Sequence, residues 1–266
     1  MTLEEAPPES LGGSKLALTC KKCNSECGHN IDNHLTEIIR AIDRCYFYKG
    51  SKHYGNIDHN GKRISVELTS LGDGIFQAHH RIKQNNPTLL ENFIYWIKDK
   101  NIGSALNFTQ HQPKFESKKV HFALLKVLYI TTFSKFGYIF LLDSKYDDIR
   151  KQLLNPDEEI FLWKPFINDP SLSNQQGTYY IVNKGIESIF NVFSLKSEYS
   201  ETIIGGLLPI SIIGMKDFVD GINSFSDNGN GISLNAKHYD PDADLFGNIL
   251  EINKILLWIN NAKKSI

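Results

Sequence analysis

Cys20-Lys21-Lys22-Cys23-Asn24 is where the sequence concentrates residues able to do chemistry. Two thiolates separated by two residues can clasp one zinc ion from a tight turn. A tetrahedral site needs two further ligands. Zinc ribbons draw these from a second C-x2-C, and this sequence has none. Cys27 and His29 stand close enough to substitute, although C-x2-C-x3-C-x-H is not an established zinc spacing. All four cysteines, Cys20, Cys23, Cys27 and Cys45, fall in the first fifth of the chain. A disulfide framework would spread its cysteines along a secreted chain, so the cluster reads as metal or redox chemistry. Two reduced cysteines in a turn are the plain alternative.

The residues around the knuckle extend the pattern. Glu4-Glu5-Ala6-Pro7-Pro8-Glu9-Ser10-Leu11-Gly12-Gly13 is followed by Leu18-Thr19-Cys20-Lys21-Lys22-Cys23-Asn24-Ser25 and Gly28. This stretch resembles the HNH endonuclease family of the zinc-knuckle type. That family shows an acidic residue then His, a short Pro-containing segment, often Gly-Gly, then CxxC followed by Asn or His, then a helix. The resemblance implies a ββα-metal finger and a metal-dependent endonuclease acting on nucleic acid, DNA in the first place. In bacterial members such enzymes often serve defence against foreign DNA. The segments Ala123–Asp143 and Tyr146–Pro156 are similar to the region that follows the finger in some bacterial members.

The chemistry explains why those residue types are needed. A phosphodiester is a poor, negatively charged electrophile, and one divalent ion (Mg or Mn) can neutralise it and stabilise the leaving oxygen. A base with a pKa near neutrality can take a proton from the attacking water. Carried over position by position, the resemblance assigns Glu4 and Asn24 to the catalytic metal and Cys20 and Cys23 to half of a structural Zn site. Glu5 stands where the family has its histidine base. A solvated glutamate has a pKa of about 4.3 and is a weak base, so His29 and His34, which flank Asp32, are the other candidates for that role, His29 being the freer to turn inward. The family's middle Asn falls near Lys15, and its first CxxC would precede Glu4. The module is therefore N-terminally incomplete or degenerate.

The net charge of −1 supplies no global attraction to nucleic acid, so any contact must come from a local basic patch. Lys15, Lys21 and Lys22, with Arg40 nearby, are the candidates. The first fifteen residues are acidic and rich in Pro and Gly, unlike a secretory signal. The apolar run Val120–Leu142 is broken by Lys126 and Lys135, and Thr202–Gly214 by Gly205, Gly206 and Pro209. No membrane span is expected, and a cytoplasmic protein is the default. Oligomeric state is not set by the sequence.

The expected architecture is α+β: a partial ββα-metal (HNH-like) finger in residues 1–50, then a larger mixed α/β domain in residues 51–266. Residues 1–28 are turn-rich. Asn30 can cap a helix in which Ile31, Leu35, Ile38, Ile39, Ile42 and Cys45 recur at helical spacing to about Tyr48. Residues 49–61 read as a loop or short hairpin, and Arg63–Thr69 and Ile75–Ile82 as strands about Gly72-Asp73-Gly74. Helices are expected over Thr88–Lys98, Val120–Phe133, Tyr146–Leu154 and Ile249–Ile259, with Gly137 ending the second of these and Tyr138–Leu142 either extending it or forming a strand. Strands are expected over Gly103–Thr109, Glu159–Trp163, Thr178–Val182, Ser188–Phe193, Thr202–Leu207 and Ile210–Ile213, and a turn at Asp227–Gly231.

Other polar clusters read more simply. His79 and His80 lie on a predicted strand and point to opposite faces. His53 and His59 bracket a polar turn with Asp58. Asp240, Asp242 and Asp244 lack the twelve-residue calcium-loop pattern. Tyr179, Tyr180, Phe190 and Phe193 read as β core. Two functions follow as expectations: an HNH-type endonuclease, or a catalytically inactive nucleic-acid- or protein-binding module descended from one.

Overall fold

A computed structural model describes residues 1–59, 61–99, 107–141, 144–160, 166–168, 170–181, 183, 185–209, 215–226, 234 and 236–239. The class is α+β, with helices set among antiparallel sheets. Thr2–Ala6 (β1) and Ser14–Thr19 (β2) form a hairpin, with Thr2 opposite Thr19 and Ala6 opposite Ser14. The pairing slips between Glu4 and Glu5. Such a bulge re-aims neighbouring side chains. One 3-10 turn, Glu9–Leu11, fills the connection. Lys21–Cys27 (α1) starts directly after β2, capped by Cys20, whose Sγ accepts the Cys23 N–H at 3.0 Å. A π-helical turn, Gly28–Asp32, leads into Asn33–Tyr46 (α2).

Turns were expected through residue 28 and helix only from Asn30. The structure instead holds two strands and a helix there. Pro7, Pro8, Gly12 and Gly13 all sit in the hairpin connection, which leaves the flanking segments free to become regular. The helix beyond Asn30 holds, but its apolar spacing matches the buried face only in the first part: Ile31, Leu35 and Ile39 are buried, whereas Ile42 and Cys45 are exposed and Asp43 is buried.

The chain divides into two compact units. One joins Met1–Thr36 to Phe115–Ser197 and the described residues from Glu201 on; the other holds Glu37–Lys114 with Glu198–Ser200. The sequence suggested a single break near residue 50. The structure inserts one unit between two parts of the other, because residues 1–36 pack against a segment some ninety residues further along.

In the inserted unit, Lys52–His59 (β3), Lys62–Gly72 (β4) and Ile75–His80 (β5) precede the helix Pro87–Asp99 (α3) and the short strand Phe108–Gln110 (β6). All strand pairs are antiparallel, in the order β5-β4-β3-β6. Ile57, Ile64, Val66 and Phe93 form the core, with Leu68, Leu89, Leu90, Trp96 and Phe108 against it. Of the two readings of residues 49–61, loop or short hairpin, the loop is corrected: β3 occupies most of the segment as one arm of a hairpin with β4. The buried positions of β3 alternate as His53, Gly55 and Ile57, in step with Ser51 just before it. That is strand periodicity, hidden by polar and small residues.

His53 is consequently a fully buried side chain and not part of a polar turn. Its Nε2 lies 2.6 Å from Ser51 Oγ and its ring packs on Phe47. Its Nδ1 has no partner among the described residues. Burial, and then the nearby Arg44, lower its pKa below that of an ordinary histidine. The unfolded chain takes up this proton at about pH 6.5 and the folded chain only below that. Stability is therefore full above that pH and declines as pH falls through it. The expected result is a lower urea midpoint for this unit at pH 5.5 than at pH 8, with a smaller difference in His53→Gln. An unchanged pH dependence in the variant would refute the assignment.

The remaining unit is built on Ser117–Leu141 (α4), which breaks direction at Gly137, where φ is 70°. Phe122, Ala123, Leu124, Leu125, Val127 and Leu128 are all buried. A helix apolar on every side belongs at the centre of its unit. α4 packs against β1, β2, the π turn, Asp147–Leu154 (α5) and the sheet strands Ser188–Lys196 and Glu201–Pro209. That sheet comprises Phe166–Ile167 (β7), Gly177–Ile181 (β8), Ser188–Lys196 (β9), Glu201–Pro209 (β10) and, after the helix Met215–Ser226 (α6), Ala236–Tyr239 (β11). Its order is β11-β8-β9-β10-β7, antiparallel throughout. The strands expected near residues 178, 188 and 202 are β8, β9 and β10, and Tyr180, Phe190 and Phe193 are core. α6 was not expected in a region that reads as β-rich; Phe218, fully buried, anchors it. The readings at Ile210–Ile213, Asp227–Gly231, Ile249–Ile259 and the three aspartates from Asp240 lie outside the described residues, as do most of Glu159–Trp163 and Gly103–Thr109. No helix among the described residues is long and apolar enough to cross a membrane.

Candidate functional site: an acidic cleft and a buried ammonium

Lys126 interrupts the apolar run of α4 and is itself buried. Its Nζ lies 2.5 Å from Glu4 Oε1 on β1 and 2.5 Å from Asp32 Oδ2 on the π turn. Glu4 is as buried as the lysine, and its other oxygen accepts from Thr19 Oγ1 at 3.4 Å. Asp32 Oδ1 has no partner among the described residues. Two carboxylates thus share one ammonium. Burial works against the Lys126 charge, but Asp32 and Glu4 outweigh it and hold its pKa above that of an ordinary lysine. Asp32 is pushed up, first by burial, with Lys126 opposing. A buried charge is tolerable only when so paired.

Glu4, Glu5, Glu9, Asn24, Asp32 and Thr36 line a cleft of about 270 Å³. The bulge between Glu4 and Glu5 accounts for two consecutive strand residues lining one cleft, since successive residues of a regular strand point to opposite faces. Glu5 Oε2 accepts the Glu9 N–H at 3.2 Å and so holds the 3-10 turn. Asn24 Nδ2 donates to Thr2 Oγ1 at 3.1 Å and to the Leu3 carbonyl at 3.0 Å, tying α1 to β1.

The structure therefore brings together three of the expected site residues, Glu4, Glu5 and Asn24. Asp32, Glu9 and Lys126 join them, and sequence reasoning did not select those three for the site. One signal was available for the lysine: a charge in the middle of a helix that must be buried needs a buried partner. His29 is exposed and does not line the cleft. His34 is occupied elsewhere, its Nδ1 accepting the Glu116 N–H at 3.0 Å.

Cys20 and Cys23 are joined in a disulfide with Cα atoms 5.4 Å apart. Cys27 is half-buried; its thiol donates weakly to the Leu153 carbonyl at 3.7 Å, and burial pushes its pKa up to about 11. Among the described residues no group of three or more His, Cys, Asp or Glu side chains is placed to hold a metal ion. The donor set for a catalytic ion does not fit as arranged either, since Glu4 and Asp32 already face an ammonium and the Asn24 amide faces β1. Lys15, Lys21 and Lys22 are exposed, and Lys22 makes a loose pair with Glu26 at 3.9 Å. No family model, curated protein or solved structure matches this chain.

Proposed function

We propose that the chain is a non-hydrolytic binding module of HNH descent, in which the Lys126 ammonium takes the place of the catalytic ion. The hairpin followed by a helix, with the CxxC at their junction, has the element order that the HNH resemblance implies. The observation that carries the reading is the single buried lysine shared by Glu4 and Asp32. A base is also lacking: no histidine lines the cleft among the described residues, and Glu5 is engaged with the turn backbone. Nucleic acid is the proposed partner, met by the exposed Lys15, Lys21 and Lys22. The acidic cleft itself would repel phosphate.

The second reading, a metal-dependent endonuclease, is favoured by one observation: Glu4, Glu5 and Asn24 do converge on one cleft. It requires Mg or Mn to displace Lys126 and Glu5 or His29 to serve as base, with zinc at the knuckle.

Supercoiled plasmid incubated with Mg²⁺ or Mn²⁺ separates the two. Equal, background nicking by the wild-type chain and by a Glu4→Ala/Asn24→Ala variant is expected. Metal-dependent cutting by the wild type alone would establish the nuclease. Fluorescence anisotropy with labelled DNA and RNA tests the partner. Lys15→Ala/Lys21→Ala/Lys22→Ala is expected to weaken binding and flatten its salt dependence by up to about 0.9 log unit per lost phosphate contact. Absence of binding by the wild type at low salt would remove nucleic acid as partner.

A further inference from the structure

We infer that Cys20 and Cys23 form an accessible thiol–disulfide couple that exchanges with small thiols, and not a structural staple. The inference is independent of whether the cleft cuts nucleic acid. The two cysteines enclose only Lys21 and Lys22, so the bond closes a very short loop and constrains little of the unfolded chain. Other contacts hold the same turn: Asn24 N–H donates to the Cys20 carbonyl at 3.0 Å, and the Asn24 side chain ties α1 to Thr2 and Leu3. The bond can therefore open without unfolding the unit, and the open dithiol keeps its sulfurs within reach of each other.

The surroundings suit exchange. Cys20 is exposed and Cys23 partly so, giving an attacking thiolate a path. The Cys23 N–H points at Cys20 Sγ from 3.0 Å, ready to stabilise a thiolate there. Two exposed lysines lie between the sulfurs, and cationic neighbours favour the thiolate form. Cys27, half-buried against the Leu153 carbonyl, stays outside the couple.

The steps balance. A thiolate RS⁻ attacks the exposed Cys20 Sγ, the protein S–S bond breaks, and Cys23 leaves as a thiolate that takes a proton from water. A second RS⁻ attacks the R sulfur of the mixed disulfide; RSSR departs, and Cys20 leaves as a thiolate facing the Cys23 N–H. Two thiols are oxidised to one small disulfide, and the protein disulfide is reduced to a dithiol. Because a disulfide withholds both sulfurs from a soft metal, the oxidised state and zinc binding at this knuckle exclude each other.

The test uses the full chain, oxidised with diamide, equilibrated natively in glutathione buffers of graded ratio, then trapped with N-ethylmaleimide and mapped by mass spectrometry. Cys20 and Cys23 are expected to gain label together, while circular dichroism stays unchanged. Cys23→Ser, lacking the resolving sulfur, is expected to hold glutathione on Cys20, and Cys20→Ser to hold far less. Four labelled cysteines after oxidation would overturn the inference. So would a bond that reduced glutathione opens only in denaturant, or a stoichiometric zinc ion that protects both sulfurs from diamide. None of these outcomes bears on the plasmid assay.

Discussion

Lys126→Met is expected to destabilise the unit containing the N-terminal hairpin by about 3–5 kcal/mol, the usual cost of removing one partner from a buried ion pair. Methionine keeps the length and apolar stem of the lysine, so packing along α4 changes little. What changes is charge: Glu4 and Asp32 would face each other, buried, with no counter-ion. Hydrogen exchange of the α4 and β1 amides is the direct readout, since it reports on this unit alone. The pH dependence follows from the same cause. Burial already raises the folded-state pKa of Asp32 and Lys126 opposes it, so without the ammonium the penalty is full near neutral pH and shrinks as pH falls and Asp32 takes up a proton. Adding Glu4→Gln and Asp32→Asn to Lys126→Met is expected to recover most of the loss, because neutral amides of similar shape leave no charge to compensate. A ligand that binds only the folded state raises its stability. Mn²⁺ should therefore protect Lys126→Met more than the wild type, if the lysine does hold a cation's place. An exchange pattern in Lys126→Met equal to that of the wild type would remove the triad as a structural element and, with it, the main support for an inactive cleft.

Gly13→Ala is the second large effect. A Cβ on Gly13 would be driven onto the carbonyl of Pro7, and backbone cannot swing aside as a side chain can. The Gly13 N–H also donates to the Pro8 carbonyl at 3.2 Å, so the residue closes the hairpin connection. The connection must open to admit the methyl group, at a cost of about 1–3 kcal/mol or more. Loss of exchange protection across β1 and β2 would show it. Gly28→Ala is the control from the same motif: Gly28 is helical at φ −56°, and the nearest atom to its new Cβ would be an Asp32 carboxylate oxygen at 4.0 Å. Alanine there should stabilise by about 0.5–1 kcal/mol, the helix-interior difference between the two residues. If Gly13→Ala proved as harmless as Gly28→Ala, the tight closure drawn between Pro7 and Gly13 would be wrong.

Much of the local structure was legible in the residue pattern. The alternation in Arg63–Thr69 set β4, the glycine-aspartate-glycine turn set the start of β5, and the long apolar run from Val120, broken by Lys126 and Lys135, set α4 as a central helix. These succeed because a strand or helix face is a short-range property, carried by residues two to four apart. Failures came where one residue type stood for another role. β3 buries His53 and Gly55 where apolar residues would have declared it, and α6 lay in a region whose average composition favoured strands.

By itself the sequence determined the α+β class, the cysteine pair and the acidic pair as the residues worth attention, and the lack of a histidine beside Glu4. Tertiary structure alone decided what those residues meet. The bulge brought Glu4 and Glu5 to one cleft, the π turn added Asp32, and α4 delivered Lys126 from more than ninety residues away. No local periodicity encodes that meeting, because burying an ammonium between two carboxylates depends on how distant segments pack. Lys126, which in sequence only broke an apolar run, is for that reason the residue on which the proposed function turns.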